Sequence, residues 1–382
     1  MRLLFISNLF PDQREPWRGL DNVTLLHALK KEQPDLETRV LAFRPSLTLG
    51  ARQIGLQPRT EDVVLNPSYH SAVYVPKFGG CNHRFFEWSL TRALRHLEGF
   101  RPDVILAPWL FPDSCAVAAC FAGVPLVSVA QGSDVHQYLT MPMRRHAILR
   151  MCKRARAVVT RSRDLENRLA AAGADATRLH TVYNGVHMDV FRPSSRPEAR
   201  RLLGIPDEER LLLFVGNFLP VKGIELLIDA MAIVASQHQN ISLALVGSGP
   251  LEQSLRNQAE ALGLSNRLRF AGRQPPVEVA QWMQAADVVC LSSHNEGVPN
   301  VVLEAVSTGR PLVSTDVGGI AEIVEPAMTR RFLVSGRNPN AYANALNEAL
   351  VAPPDELVLH QKATQYSWPN CARNYLDLMT SA

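Results

Sequence analysis

Short, uniformly apolar runs alternate along the chain with longer stretches whose apolar residues recur at helical spacing. The runs that read as buried strands are residues 2–10, 39–43, 72–76, 104–108, 126–130, 157–160 and 180–183, and then 211–216, 241–247, 267–271, 288–292, 312–315 and 332–334. Helical stretches fall between them, among them 20–31, 85–97, 144–154 and 164–172. Strands apolar on both faces and separated by amphipathic helices predict parallel sheets covered by helices on each side. Phe191-Arg192-Pro193-Ser194-Ser195-Arg196-Pro197, rich in Pro and Ser, separates two complete alternating series. The pattern therefore predicts an α/β chain of two Rossmann-like domains, residues 1–190 and 199–362, joined by a linker at 191–198. The cleft between two such domains is the default binding site.

One stretch organises the second series. Ser293-His294-Asn295-Glu296-Gly297-Val298-Pro299-Asn300-Val301-Val302-Leu303-Glu304 follows the strand at 288–292 and opens a helix. Pro299 suits the first helical turn, where its missing N–H costs nothing. Val301, Val302, Ala305 and Val306 share one face, and Gly309 and Pro311 end the helix. Glu296 is thus expected in the loop and Glu304 inside the helix. A carboxylate beside Gly297 at a strand's carboxyl end stands where open α/β sheets bind ligands. The competing reading is a solvent-facing loop Glu and an ordinary helix Glu.

Glycine turns at other strand ends bear on that choice. Phe214-Val215-Gly216-Asn217-Phe218-Leu219-Pro220-Val221-Lys222-Gly223 leads into a helix from about Ile224. Lys222 at a helix start opposes the macrodipole, a conflict that an anionic ligand would resolve. Val246-Gly247-Ser248-Gly249-Pro250 and Val317-Gly318-Gly319, with Glu322 on the helix that follows, repeat the strand–glycine–helix pattern. Each alone is an ordinary βα turn, but together they favour a nucleotide site. In the first series, Arg18-Gly19-Leu20-Asp21-Asn22, Gln131-Gly132-Ser133-Asp134 and Asn184-Gly185-Val186 occupy comparable places, and Ser133 or Asp134 is also a candidate helix cap.

Composition narrows the class. The 382 residues, 46% hydrophobic and 20% charged, are ordinary for a two-domain globular protein. A net charge of +4 is too small to argue for nucleic acid. The six cysteines are scattered without a Cys-x-x-Cys pair and read as reduced thiols, which predicts a cytoplasmic protein. The apolar start is followed by Pro11-Asp12-Gln13 and reads as a first strand, and the apolar stretch 104–130 is broken by prolines, so no membrane span is expected. There is no Asp-x-Asp, no His/Cys set at metal-ligand spacing, no Gly-x-Ser-x-Gly and no Walker loop. These absences argue against a metal-bridged diphosphate, a zinc hydrolase and an ATPase.

Taken with its neighbours, the Glu296–Glu304 stretch resembles the Glu-x7-Glu signature of the family 4 (group 1) retaining glycosyltransferases of GT-B fold. Ala286-Asp287, Thr308-Gly309-Arg310-Pro311, Ser7-Asn8-Leu9-Phe10-Pro11, Tyr183-Asn184-Gly185-Val186 with Phe191 and Pro193, and Tyr366-Ser367-Trp368 fit as well, so the resemblance spans nearly the whole chain. It implies two Rossmann-like domains whose parallel sheets face across a cleft, and a last helix, within 363–382, that crosses back to the first domain. The first domain would bind the acceptor and the second a nucleoside-diphosphate-sugar, with no cofactor and no metal. Glu296 would hold donor-sugar hydroxyls and Glu304 the nucleotide ribose. Lys222 and the backbone amides around residues 299–302 would stabilise the departing diphosphate, and the Gly19 loop would close on the diphosphate and acceptor side. The resemblance extends a catalytic role to Gln131 and Asp134, and donor contacts to Gly216, Asn217, Gly247, Gly249, Arg273, Gly297, Val298, Pro299, Asn300 and Val301. Three positions depart from the family pattern: Asn217 stands where Arg is common, Gln131 where His is common, and His187 where Asp is usual. The expected activity is transfer of a sugar, with retention, to a glycan or lipid-linked acceptor in cell-surface polysaccharide biosynthesis. The alternatives are a same-fold sugar-nucleotide 2-epimerase and a non-catalytic subunit that binds nucleotide-sugar.

Two basic stretches stand outside that pattern. Arg144, Arg145, Arg150, Lys153, Arg154 and Arg156 crowd one segment, and His83-Arg84-Phe85-Phe86-Glu87-Trp88 through Arg95-His96 mixes cations with aromatics. They read either as a peripheral contact with an anionic membrane or as solvated helix faces with a core side.

Overall fold

The computed structural model describes residues 1–46, 51–53, 55–97, 99–324 and 332–381. The chain divides into two compact units, Met1–Asn184 together with Trp368–Ala382, and Gly185–Ser367. The Pro/Ser-rich stretch is not the linker that its composition suggests. Ser195 accepts from the Glu198 amide as N-cap of the helix Arg196–Leu203, and the stretch belongs wholly to the second unit. The change of unit falls earlier, after Asn184, where no composition shift marks it.

In the first unit seven parallel strands lie in the order β3-β2-β1-β4-β5-β6-β7. They are β1 (Arg2–Ser7), β2 (Glu37–Ser46), β3 (Pro67–Val73), β4 (Val104–Pro108), β5 (Leu126–Ala130), β6 (Ala157–Thr160) and β7 (Leu179–Thr181). The second unit has six, β8 (Arg210–Val215), β9 (Ile241–Val246), β10 (Leu268–Gly272), β11 (Val288–Leu291), β12 (Leu312–Thr315) and β13 (Leu333–Val334), in the order β10-β9-β8-β11-β12-β13. Each predicted strand has a counterpart, except that the one predicted at 72–76 lies at Pro67–Val73 and shares only Ala72 and Val73 with the prediction. The ends differ because side-chain pattern reports burial, whereas the ladder stops where backbone pairing stops: β1 ends at Ser7, and Asn8 to Phe10 turn away from it.

Both sheets are covered on two faces, which is why their strands are apolar throughout. Leu4, Ile6, Ile105 and Ala107 face one apolar cluster, and Leu3, Phe5, Val104 and Leu106 the other. The helix Trp368–Thr380 joins the second of these clusters through Trp368, Cys371, Ala372, Tyr375 and Met379, which share one face, beside the helix Leu20–Glu32. Burying each large side chain of that stripe contributes roughly 1.5–3 kcal/mol, so the packing fixes the last helix to the first unit rather than to the strands that precede it in sequence. In the second sheet the buried Tyr342 hydroxyl lies 2.8 Å from each of the carbonyls of Leu291 and Val313, its one proton shared between them, which ties β11 and β12 to the helix Pro339–Val351.

The strand orders place one topological switch point in each unit. The chain reverses direction across the sheet between β1 and β4, and again between β8 and β11. Ligands of open α/β sheets bind outside the carboxyl ends of the strands at such points.

Candidate active site

In the second unit the switch point is built by the loops after β8 and β11. The first carries Lys222, in a short 3-10 turn Pro220–Lys222, and the second carries Glu296. Lys222 Nζ donates to Glu296 Oε1 at 2.5 Å, and Ser293 Oγ donates to the same oxygen at 2.7 Å. Both side chains are largely buried, 21% and 12% exposed. The conflict of Lys222 with the macrodipole of the helix Ile224–Gln237 is therefore offset inside the protein, by a carboxylate from the neighbouring loop. Both bonds fall on Oε1, which leaves Oε2 for a hydroxyl donor.

Three further contacts hold these loops in register. Ser292 Oγ donates to the Lys222 carbonyl at 3.2 Å, and the His294 amide donates to the Val221 carbonyl at 2.8 Å. Arg337 donates through Nη1 to the Ser292 carbonyl at 2.7 Å and through Nη2 to the Gly223 carbonyl at 3.2 Å. One planar guanidinium thus clips the ends of the two loops together, a use that suits Arg and not Lys. Sequence reasoning missed Arg337, which stands in an exposed loop with no motif around it.

The glycines serve close approach. Gly318 has φ 57°, and a Cβ there would lie 1.9 Å from the Glu296 carbonyl oxygen, while the Gly319 amide donates to the Gly297 carbonyl at 2.8 Å. The loop after β12 is thereby pressed against the backbone of the Glu296 turn. Gly247 and Gly249 let the loop after β9 approach the loop after β8. A Cβ on Gly247 would meet the Gly216 carbonyl oxygen at 1.9 Å, and one on Gly249 the Phe218 carbonyl oxygen at 2.5 Å. The two loops are stitched by the Phe218 amide to the Ser248 carbonyl and the Leu251 amide to the Phe218 carbonyl. Asn217 is exposed at the tip of the first loop, and Arg273 is exposed beyond the end of β10.

The helix after Glu296 runs Asn300–Ser307, with Pro299 as its N-cap at φ −66° and ψ 139°, one position earlier than expected. Extended backbone is favoured in a residue that enters a helix, and Pro299 supplies it without losing a needed N–H. The helix starts next to Gly297 and Val298, and the Val302 amide of its first turn donates to the Pro299 carbonyl at 3.0 Å. Val298 and Val301 are nearly buried, and Glu304 and Glu322 are half-buried, the latter in the first turn of Ile320–Val324.

The first unit's switch point gathers a second group. Asp113 is fully buried and accepts from the Asn8 amide and the Asn8 side-chain amide, both at 2.8 Å, which ties the turn after β1 to the turn after β4. Burial pushes its carboxyl up to about 7 against the pull of the Asn8 bonds. Asn22 donates to the Leu9 carbonyl at 2.9 Å, and Gln131 Nε2 donates to Asn22 Oδ1 at 3.3 Å. Gly19, at φ 65°, starts the helix Leu20–Glu32, and a Cβ there would lie 2.3 Å from the Leu9 carbonyl oxygen. Gly19 and Gln131 therefore share one neighbourhood. The buried Asp134 carboxylate accepts from the amides of Leu110, Gln131 and Gly132 at 2.9–3.2 Å and so holds the turn. Burial also raises its pKa, with those amides pulling the other way.

The site thus joins an open parallel sheet, an ammonium–carboxylate pair and a helix start at the switch point. Comparison with known proteins gives the chain a family. Residues 195–366 match the family model "Glycosyl transferases group 1", and residues 23–190 match "Glycosyltransferase Family 4". The chain belongs to the family 4 (group 1) glycosyltransferases and has their GT-B fold.

Similar curated proteins are the D-inositol 3-phosphate glycosyltransferases of Corynebacterium urealyticum, 34% identical over 53% of this chain and 51% of that one, and of Thermobispora bispora, 31% identical over 59% and 54%. The chain spans about half the length of these curated relatives. Solved structures of like fold include Anabaena HepE in complex with UDP, at a TM-score of 0.79 and 19% identity with all of both chains covered. Another is WaaG, a glycosyltransferase involved in lipopolysaccharide biosynthesis, at 0.71 and 18%, also with full coverage of both. Among the described residues no helix is long and apolar enough to cross a membrane.

Proposed function

We propose that the chain transfers a sugar from a nucleoside-diphosphate-sugar to a hydroxyl of a glycan or lipid-linked acceptor, with retention of configuration and without a metal. The observation that carries this reading is the Lys222–Glu296 pair at the switch point, one turn of chain from the start of the helix Asn300–Ser307. The donor's sugar hydroxyls are assigned to Glu296 Oε2, its ribose to Glu304, and its diphosphate to Lys222 and the first-turn amides. As the bond from the anomeric carbon to the diphosphate breaks, negative charge grows on the departing phosphate oxygen. Preformed donors aimed at that charge lower the barrier more than they tighten ground-state binding. The acceptor oxygen attacks from the same face, and its proton passes to the leaving diphosphate, so no carboxylate has to form a glycosyl-enzyme. The first unit, with Gln131, Asn22 and the Gly19 turn, is assigned to the acceptor. The reduced cysteines and basic helices accord with a cytoplasmic enzyme of surface-polysaccharide synthesis that works at the membrane's inner face.

HepE is bound to UDP and to UDP-glucose in its solved structures, which makes UDP-glucose the first donor to test. The full chain is titrated with UDP-, GDP- and ADP-sugars by thermal shift, and the stabilising donor is then incubated with D-inositol 3-phosphate and with lipid-linked glycan acceptors. A donor present at a hundred times its dissociation constant adds about 2.7 kcal/mol. Transfer with a product of the donor's own anomeric configuration supports the reading. Binding of a donor without turnover on any acceptor, or conversion of the donor alone to an epimer, sinks it.

A further inference from the structure

Trp109, the first residue past β4 at the switch point of the first sheet, has φ 86° and ψ 106°. A positive φ in a bulky residue is a true outlier, and it persists only where the surroundings impose it. Here the turn imposes it from both sides. The Trp109 amide donates to the Val129 carbonyl at 2.8 Å, and its carbonyl accepts from the Ser114 amide at 3.1 Å. The next amide, that of Leu110, donates to the buried Asp134 carboxylate at 3.0 Å. Ser114 is fixed in turn, its Oγ donating to the Ala107 carbonyl at 2.8 Å and accepting from Ser128 Oγ at 2.6 Å.

Packing does not account for the strain. Trp109 is half-buried, and among the described residues it is not one of the side chains packed against either apolar cluster of the first unit. Its indole N–H has no partner among the described residues. The neighbouring strand ends supply two amides. β4 lies between β1 and β5, and the pairings Phe5–Leu106 and Pro108–Val129, carried on, set Asn8 level with Trp109 on one side and Gln131 one residue further on the other. Asn8 Nδ2 donates to Asp113 and Gln131 Nε2 donates to Asn22 Oδ1, which fixes the way each amide faces. Asn8 Oδ1 and Gln131 Oε1 are left without a partner among the described residues.

An aromatic face flanked by hydrogen-bond acceptors suits a pyranose or cyclitol, which has C–H bonds on its faces and hydroxyls around its edge. We infer that Trp109 is the platform on which the hydroxylated ring of the acceptor rests, with Asn8 Oδ1 and Gln131 Oε1 accepting from its hydroxyls. The inference rests on the assignment of the acceptor to the first unit and names the residue that selects a ring there.

The full chain, Trp109→Phe and Trp109→Gly are titrated calorimetrically with D-inositol 3-phosphate and applied to an array of immobilised oligosaccharides, which separates a cyclitol from a glycan. Glycerol 3-phosphate is the acyclic control. Glycine adopts a positive φ without strain, so Trp109→Gly is expected to fold with Tm no more than about 4 °C below the parent's. Its affinity for the ring probe that the parent binds is expected to fall about tenfold or more, whereas Trp109→Phe keeps most of that affinity. Binding of glycerol 3-phosphate is expected to be the same in all three proteins. Four results overturn the inference: no saturable ring binding by the parent, ring binding equal in the parent and Trp109→Gly, a loss as large in Trp109→Phe as in Trp109→Gly, or an equal loss for the acyclic control. A Trp109→Gly chain that does not fold also overturns it, because the indole would then serve packing. Ring binding is read without donor, so its outcome for Trp109 stands whether or not a nucleotide-sugar binds. UDP-glucose binding, measured in the same proteins, tests the donor reading separately and is expected to be unchanged by either substitution.

Discussion

Lys222 and Glu296, 74 positions apart, meet at 2.5 Å across the switch point of the second sheet. On the proposed reading, a donor entering there engages both members of this internal ion pair. The pair holds each group in place before the ligand arrives, so little ordering remains to be done at binding. Glu296→Ala is expected to lower transfer by roughly 10²–10³-fold, the range seen when one oriented polar group is lost from a transition state. The fold should persist, with Tm within about 4 °C of the parent. Because the two groups act as a unit, Lys222→Ala combined with Glu296→Ala should cost much less than the product of the single losses. Steady-state kinetics on the four proteins of the cycle check this, and strict additivity would separate the two residues.

Most of the frame was legible because burial writes itself into the chain. Strands covered on both faces must be apolar at consecutive positions, and all the predicted ones but that at 72–76, whose strand lies at Pro67–Val73, are found close to their places. The Glu296 turn was legible because a loop carboxylate, a proline entry and a helical stripe fall within a dozen residues. What escaped were residues whose partners are remote. Arg337 acquires its role from two carbonyls, one 45 and the other 114 positions away. Asp113, in an apolar stretch that reads as a chain break, is explained only by Asn8, 105 positions earlier. Asp134 sits in a Gly-Ser-Asp turn that the family resemblance associates with chemistry, and only the structure shows its carboxylate committed to three backbone amides. Gly247 and Gly249 show the same limit. A glycine announces close approach, but not what approaches.

Gly318 tests how much the approach itself contributes. Its φ of 57° and the 1.9 Å clash with the Glu296 carbonyl both oppose a side chain, whereas Gly336, at φ 77°, has open space around its missing Cβ. Gly336→Ala should cost about 1–2 kcal/mol, the left-handed penalty alone. Gly318→Ala should cost more than Gly336→Ala, and should also weaken donor binding by shifting the Glu296 turn. Denaturant unfolding with and without UDP-glucose distinguishes the two, and equal costs would mean that the clash relaxes without consequence.

Arg337→Lys keeps the charge but cannot reach two carbonyls with one planar group. The expected result is a several-fold rise in KM for the donor with stability changed by less than about 1 kcal/mol, since the residue is exposed. Donor titrations at fixed acceptor provide the measurement. An unchanged KM would show that the Ser292 and Lys222 backbone contacts suffice to hold the loops.

Asp113 predicts a pH dependence of definite sign. Its carboxyl titrates at about 7 in the folded chain, raised chiefly by burial, against an ordinary value of 3.8. Between those values the folded state holds a proton that the unfolded state has lost. Its contribution to stability is therefore fully present below about 3.8 and is lost as pH rises toward 7, with a slope of up to about 1.4 kcal/mol per pH unit. Asp12 and Asp62 work in the opposite direction. Against the pull of burial, the Asp12 carboxyl is held below the usual range by hydrogen bonds from the Glu15 amide and Arg44, and that of Asp62 by His27 and Arg59, so their contributions are lost only on acidification below the ordinary carboxylate range. Asp113→Asn removes the first effect and leaves the second. The variant should be less stable than the parent at pH 4.5, where the parent's neutral carboxyl is compatible with its site, and the gap should narrow steadily to pH 7.5. Urea unfolding across that range gives the difference directly, and a gap that is constant with pH would mean that Asp113 is already ionised in the folded chain.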